Sequence, residues 1–258
     1  MLSAAENMNV LMDAWELMVR RFPDATLERD AGVFSLFGHL PLPFLNISVI
    51  EHPTPRAADF RAALGVTKRR AAACRYGSLV AVCGEWMPGD GQDLIASEGY
   101  TLALNMTGMD SGQLLPARRP APQMEYRRVA DPATATDLAM VNAQAYGMQP
   151  DLFKCICNLL LWQPEETSFG FVGYADGRAV TTSATFPVRN CLYVALVATL
   201  PEAHGRGYAE AVMRHAIEYG MTKTGLTRAA LHASDMGRPL YRSMGFEASG
   251  QVALLGPK

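Results

Sequence analysis

The stretch at residues 196–209 constrains the fold of this chain more than any other segment. It reads Leu-Val-Ala-Thr-Leu-Pro-Glu-Ala-His-Gly-Arg-Gly-Tyr-Ala, which predicts an apolar strand, a proline break and a glycine turn that opens a helix. Glycines at 205 and 207 remove the Cβ atoms that would hold a ligand away from the backbone. The following helix presents unpaired N–H groups and the positive end of its dipole. The segment therefore predicts a phosphate-binding turn.

The residues after the glycines exclude two other phosphate-binding motifs. A dinucleotide-binding fold needs Gly-x-Gly-x-x-Gly early in its sheet, but Glu210 occupies the sixth position. A nucleotide-hydrolase loop needs Gly-Lys-Ser/Thr, which this segment lacks. On this segment alone, a purely structural strand-to-helix turn stays open.

The helix after the turn has a clear apolar face. Its residues recur at the spacing of one helical face: Ala209, Val212, Met213, Ala216 and Ile217. Charged residues, among them Glu210 and Arg214, lie on the other face four positions apart. We expect Gly220 to end this helix.

Residues 240–246 form a second motif, Leu-Tyr-Arg-Ser-Met-Gly-Phe. It comes after a predicted strand at 229–233 and indicates a short helix that ends in a Gly-Phe turn. Together with the glycine turn, this motif resembles the GNAT superfamily of acyl-CoA-dependent N-acetyltransferases. The resemblance covers about residues 123–258. It implies an α/β fold with a mixed sheet, the GNAT-like acyl-CoA N-acyltransferase fold.

Hydrophobic periodicity supplies the elements that such a domain requires. Strands are predicted at 124–129, 168–174, 178–186 and 191–199, and helices from Asp131 or Thr134 to Tyr146 and at 150–162. The Asp176-Gly177 pair between two of these strands is a strong signal for a two-residue hairpin.

A proline-rich segment divides the chain. The 258 residues suffice for two small domains. Residues 115–122 read Leu-Pro-Ala-Arg-Arg-Pro-Ala-Pro, a composition typical of a linker. We therefore expect a domain at 1–115, a linker at 116–122 and an acetyltransferase-like domain at 123–258.

The first domain repeats the second in a shortened form. Residues 94–100 align with 240–246, and an alternating strand comes after each copy. The counterpart of the glycine turn, residues 51–56, contains no glycine, and Ile95 stands where Tyr241 stands in the second copy. We expect two tandem copies of one fold, of which the first is degenerate and has lost the anion site and the acid.

Composition and charge exclude several classes of protein. A net charge of -2 and a pI near 6.2 disfavour a nucleic-acid-binding surface. Five cysteines without a CxxC pair suit reduced thiols, and no spacing indicates a metal site. No apolar run reaches the roughly 18 residues of a membrane span. We expect a cytoplasmic protein without a metal, nucleic acid or membrane partner.

The resemblance implies direct attack of an amine on the thioester of acetyl-CoA. Backbone N–H groups of the turn would bind the pyrophosphate, and the strand before the turn would pair with the pantetheine arm. The residues that the resemblance assigns to acetyl-CoA are Leu196, Val197, Ala198, Thr199, His204, Gly205, Arg206, Gly207, Tyr208, Ala209 and Ser234. The thioester carbonyl would meet an N–H group near Val197 or Ala198. Tyr241 matches the general acid of the family, since a phenol with a pKa of about 10 is protonated at neutral pH.

The general base, the acceptor and the oligomeric state stay open. An alkyl ammonium must lose a proton before it attacks, and Asp235, Tyr193 or a water chain could accept it. The acceptor is a small-molecule amine or a peptide amine, and a homodimer is compatible with the sequence. Two other functions also fit: a regulatory or scaffolding protein that binds acyl-CoA without turnover, and an interaction module in which the glycine turn is structural.

Overall fold

A computed structural model describes residues 1–157, 159–162 and 167–258, without the side chains of residues 159 and 160. Its helices are α1 (Ala4–Val19), α2 (Ala57–Ala73), α3 (Gly91–Ser97), α4 (Pro132–Ala145), α5 (Pro150–Phe153), α6 (Tyr208–Thr224) and α7 (Arg238–Ser243). Its strands are β1 (Thr26–Asp30), β2 (Val33–Phe37), β3 (Asn46–Ile50), β4 (Leu79–Cys83), β5 (Tyr100–Ser111), β6 (Glu125–Arg128), β7 (Phe169–Ala175), β8 (Arg178–Val188), β9 (Cys191–Thr199), β10 (Ala229–Ala233) and β11 (Glu247–Pro257).

Contacts divide the backbone into two units, each built from stretches that are far apart in sequence. The first unit contains residues 1–109, 232–238 and 248–258, and the second contains 110–231 and 239–247. Residues 248–258, which the sequence analysis assigns to the second domain, therefore make their contacts in the first unit.

The sheet of the first unit has the strand order β1-β2-β3-β4-β11-β5. Strands β1 to β3 are antiparallel, β3 and β4 are parallel, and β11 runs antiparallel to β4. Helix α1 begins at a capping box of Ser3 and Glu6. Farther along this helix, the Asn7 amide donates a hydrogen bond to the Ser249 hydroxyl at 2.8 Å.

The sheet of the second unit has the order β10-β9-β8-β7-β6. Strands β6 to β9 are antiparallel and β10 is parallel to β9. The predicted hairpin is confirmed: Asp176 and Gly177 connect β7 and β8 with φ of 50° and 76°, as a two-residue turn of the favoured handedness requires. Helix α6 packs its buried residues Val212, Ala216 and Ile217 toward this sheet.

Two local predictions are wrong. Helix α6 does not end at Gly220 but continues to Thr224, where Gly225 closes it in the left-handed conformation. A Cβ atom at Gly220 would lie 2.8 Å from a methyl group of Leu192, so this glycine allows helix and sheet to approach. The predicted helix at 150–162 is also broken, because α5 passes into 3₁₀ turns and the Trp162 indole donates to the Ile156 carbonyl at 3.4 Å.

The two units share one order of elements. A strand, a helix, a parallel strand and a short helix succeed one another as β3-α2-β4-α3 and again as β9-α6-β10-α7. This mixed α/β architecture confirms the predicted fold class. In the first unit, the segment before α2 ends at Arg56, whose guanidinium pairs with Asp59 at 2.7 Å, and no glycine lies in 51–56.

Candidate functional site

Strand β9 carries a bulge at the predicted thioester position. Its pairing with β8 passes from Ala195 to Ala198 while β8 advances from Ala184 to Thr182, so Leu196 and Val197 together face a single residue. Leu196 has a φ of 53°, a conformation that residues with a branched or bulky side chain rarely adopt. Its carbonyl accepts a hydrogen bond from the Thr182 hydroxyl at 2.8 Å. Such a bulge re-aims the peptide groups of a strand.

One edge of β9 is open to an extended ligand. In the described part of the chain, its register with β10 consists of Leu192 opposite Ala229 and Tyr193 opposite Ala230. The first half of β9 is buried, whereas residues 195–197 are partly exposed. An extended chain can bind such an edge through main-chain hydrogen bonds.

The glycine turn adopts the conformation that the sequence predicts. Gly205 and Gly207 have φ of 76° and 86°, and Gly207 is the N-cap of α6 without any side-chain cap. The first N–H groups of the helix, beginning with those of Tyr208 and Ala209, have no partner within a helix. These N–H groups and the helix dipole give this end of α6 a partial positive charge, which favours binding of an anion.

His204 takes less part in this turn than its position suggests. Its N–H donates to the Pro201 carbonyl at 3.2 Å, and its ring nitrogen Nε2 lies 2.9 Å from the Thr199 carbonyl oxygen. Both groups of His204 therefore contact carbonyl oxygens within residues 199–201. Nearby, the Glu210 carboxylate in the first turn of α6 pairs with Arg214 at 2.8 Å, which offsets its repulsion of an anion.

Arg119 lies at the turn, although the sequence analysis did not identify it. Its guanidinium donates to the Gly205 carbonyl at 3.0 Å, and a Cβ atom at Gly207 would be 3.4 Å from its Nε. Arg119 belongs to the proline-rich segment that composition marks as a linker. No sequence signal could place it here, because its position depends on the path of that segment.

Three tyrosines meet beside the bulge. Tyr241, on α7, is 9 % exposed and packs its ring edge-on against Phe246. Burial raises the pKa of Tyr241, and the neighbouring Tyr146 hydroxyl raises it further. Burial likewise raises the pKa of Tyr193 on β9, with further contributions from Tyr241 and Tyr146. All three phenols are therefore protonated donors at neutral pH.

Tyr146 fixes the bulge. It lies at the end of α4, and its hydroxyl donates to the Val197 carbonyl at 2.9 Å. About half of the residue is exposed, but desolvation at the hydroxyl raises its pKa to about 12. Because a peptide group is planar, holding the Val197 carbonyl also fixes the direction of the Ala198 N–H group. Sequence reasoning identified Tyr146 only as a helix end.

Ser234 and Asp235 belong to the first unit by their contacts. The Ser234 carbonyl accepts the N–H groups of Gly237 and Arg238. Asp235 pairs with Arg238 at 3.1 Å and its side chain is 80 % exposed. The role of Ser234 toward a CoA arm stays a prediction.

Comparison with known proteins agrees with this arrangement. Residues 139–246 match the model of the acetyltransferase (GNAT) family. The chain carries a GNAT domain. The match includes the bulged strand β9, the glycine turn and α7. No curated protein matches the chain in sequence.

Solved structures show the same fold over nearly the whole chain. A GCN5-related N-acetyltransferase from Kribbella flavida has a TM-score of 0.73 and 20% identity, covering 98% of this chain and 95% of that one. A tandem GNAT protein from the clavulanic acid biosynthesis pathway has a TM-score of 0.57 and 12% identity, covering 100% and 98%. The predicted tandem GNAT fold is thereby confirmed.

Two kinds of feature are absent from the described residues. No three or more His, Cys, Asp and Glu side chains group there as a metal ion would require. Within the same residues, no helix has the length and apolar character needed to span a bilayer.

Proposed function

We propose that the chain is an acetyl-CoA-dependent N-acetyltransferase that transfers the acetyl group to a primary amine. One observation carries the proposal: the open, bulged edge of β9 is joined through the glycine turn to the uncapped N-terminus of α6. An extended arm that ends in a diphosphate fits this sequence of features, since the strand edge offers main-chain hydrogen bonds and the helix end offers donors to phosphate. The GNAT family match supports this assignment.

Different residues bind different parts of acetyl-CoA. Leu196 to Thr199 pair with the pantetheine arm, and the N–H groups of Gly205 to Ala209 bind the diphosphate, with Arg206 adding charge. The left-handed conformation at these two positions favours glycine, so no Cβ atom of Gly205 or Gly207 separates the backbone from the ligand.

The chemistry requires charge stabilisation and a proton donor. The N–H group of Val197 or Ala198 stabilises the negative charge that develops on the thioester oxygen when the amine nitrogen attacks the carbonyl carbon. As the carbon–sulfur bond breaks, its electron pair stays on sulfur, and the Tyr241 hydroxyl, the proposed general acid, donates a hydrogen bond to this departing thiolate. The acetyl-CoA substrate provides the activated acyl group. Because burial raises the pKa of Tyr193 and keeps this phenol protonated at neutral pH, the amine proton leaves through water.

Gly207→Glu tests the donor site. We expect this variant to lose acetyl-CoA binding in a calorimetric titration, because it adds a side chain and a negative charge at the anion site. Gly225→Glu is the matched control, since Gly225 has the same left-handed conformation at the opposite end of α6, with open space around it. Unchanged acetyl-CoA affinity in the Gly207 variant would refute the donor site.

Turnover separates the proposal from its rivals. A panel of amines assayed with acetyl-CoA should release the thiol with at least one acceptor. Stoichiometric binding without thiol release would instead favour a regulatory or scaffolding protein that binds acyl-CoA. Absence of CoA binding in the wild type would favour an interaction module.

A further inference from the structure

The proline-rich segment, residues 115–122, is exposed along most of its length but contacts other parts of the second unit at both ends, and we call it the strap. At one end, the Leu115 N–H donates to the Met244 carbonyl at 2.9 Å, beside the Gly-Phe turn. At the other end, Arg119 and Pro122 lie 3.4 and 3.7 Å from the position of a Cβ atom at Gly207. The strap thus contacts both motifs that mark the GNAT domain.

The positive charge of Arg119 lies next to the N-terminus of α6. Its guanidinium has five N–H donors, and one nitrogen donates to the Gly205 carbonyl. The N-terminus of α6, immediately adjacent, carries a positive partial charge. Among the described residues, no acidic side chain forms an ion pair with Arg119, and the carboxylate of Glu210 in the first turn of α6 is paired with Arg214 instead.

The strap is suited to hold this charge in place. Pro116, Pro120 and Pro122 fix φ at three of its positions, which lowers the conformational entropy lost when a ligand is bound. Guanidinium groups bind phosphate oxygens through paired, charge-assisted hydrogen bonds. The prolines therefore restrict the backbone around Arg119, and the hydrogen bond to the Gly205 carbonyl orients its guanidinium.

We propose that Arg119 binds the diphosphate of the acyl donor, so that the strap forms part of the donor site. This inference rests on the proposed function. It predicts that the strap makes the enzyme selective for acyl donors that carry a diphosphate over phosphate-free acetyl thioesters.

The test compares three variants with three donors. The variants are Arg119→Gln, which removes the charge, Arg119→Lys, which keeps it, and Arg118→Gln, which removes the neighbouring charge. The donors are acetyl-CoA, its 3′-dephospho form and S-acetylpantetheine, which has no phosphate. Calorimetric Kd and kcat/KM are measured at low and high salt.

Arg119→Gln should weaken acetyl-CoA and 3′-dephospho-acetyl-CoA about tenfold, as expected for a charge-assisted hydrogen bond, and should leave S-acetylpantetheine unchanged. Arg119→Lys should recover part of the affinity, and Arg118→Gln should change it less than about twofold. The salt dependence of Kd should become shallower in Arg119→Gln, because one fewer charge contacts phosphate.

Three results would overturn the inference. Unchanged or tighter acetyl-CoA binding in Arg119→Gln would show that the guanidinium does not contact the donor. An equal loss with S-acetylpantetheine would give the strap a structural role. A loss confined to acetyl-CoA, and absent with the dephospho form, would move Arg119 to the 3′-phosphate. Failure of the wild type to bind any of the CoA forms would instead refute the proposed function itself.

Discussion

Replacing Tyr241 with phenylalanine tests the proposed acid most directly. The substitution keeps the ring, its burial and its edge-on contact with Phe246, and removes only the hydroxyl. If Tyr241 supports the departing sulfur, kcat should fall while the Kd of acetyl-CoA changes little.

Reference pKa values set the size of the effect. Full proton transfer from a phenol of pKa about 10 to the thiolate of a thiol with pKa about 8.5 is uphill by about 2 kcal/mol, and burial raises the pKa of Tyr241 further. Tyr241 therefore acts chiefly through a hydrogen bond that strengthens as charge develops on sulfur. Loss of such a donor typically lowers kcat by about 10²-fold or more.

The assay combines turnover, affinity and thermal unfolding. A purely structural hydroxyl would cost about 1 kcal/mol of stability and leave kcat intact. Tyr100→Phe is the matched control, because its buried hydroxyl bonds to Thr67 at 2.7 Å in the first unit. Because burial raises the pKa of Tyr241, this residue stays protonated up to at least about pH 10. Its deprotonation should therefore not lower the wild-type kcat at any pH below that value. Wild-type kcat with a lowered Tm in Tyr241→Phe would refute the catalytic role.

Three further outcomes are expected. Tyr146→Phe frees the Val197 carbonyl and should lower kcat roughly tenfold through a misdirected oxyanion donor; steady-state kinetics that match the wild type would contradict this. Titration should find one acetyl-CoA per chain, because segment 51–56 of the first unit has no glycine; two equivalent sites would be contrary evidence. His215 stacks on Tyr126 at 4.2 Å and burial lowers its pKa, so the unfolded chain binds more protons and stability falls as the pH drops through about 6.5. His215→Phe should therefore lose less Tm than the wild type between about pH 8 and about pH 5.5, and an equal loss would rule out this residue as the cause.

Local geometry accounts for the features that could be predicted from the sequence. The Asp176-Gly177 turn and the left-handed Gly205 and Gly207 result from preferences that act within a few residues. The order of strands and helices results from periodicity. These features therefore indicated where the proposed donor site and its surrounding fold lie.

Long-range packing accounts for the features that could not be predicted. Gly220 lies within α6 because Leu192 and Thr185 approach it from the sheet, and no helix-end signal reports such a contact. The positions of Arg119 and Tyr146 depend on the path of the strap and on where α4 ends. Likewise, the pairing of β11 with β4 joins residues far apart in sequence, so alternation alone could identify the strand but not its neighbour.

The placement of β11 has a consequence for biosynthesis. Strand β4 gains this antiparallel neighbour, and Asn7 gains Ser249, only after residues 248–258 have been translated. At about 5–20 residues per second, the ribosome needs roughly 10–30 s to make the intervening segment. During that time the edge of β4 lacks the partner that it has in the native protein, and exposed edges invite misplaced pairing. The part of the chain made first is therefore completed last.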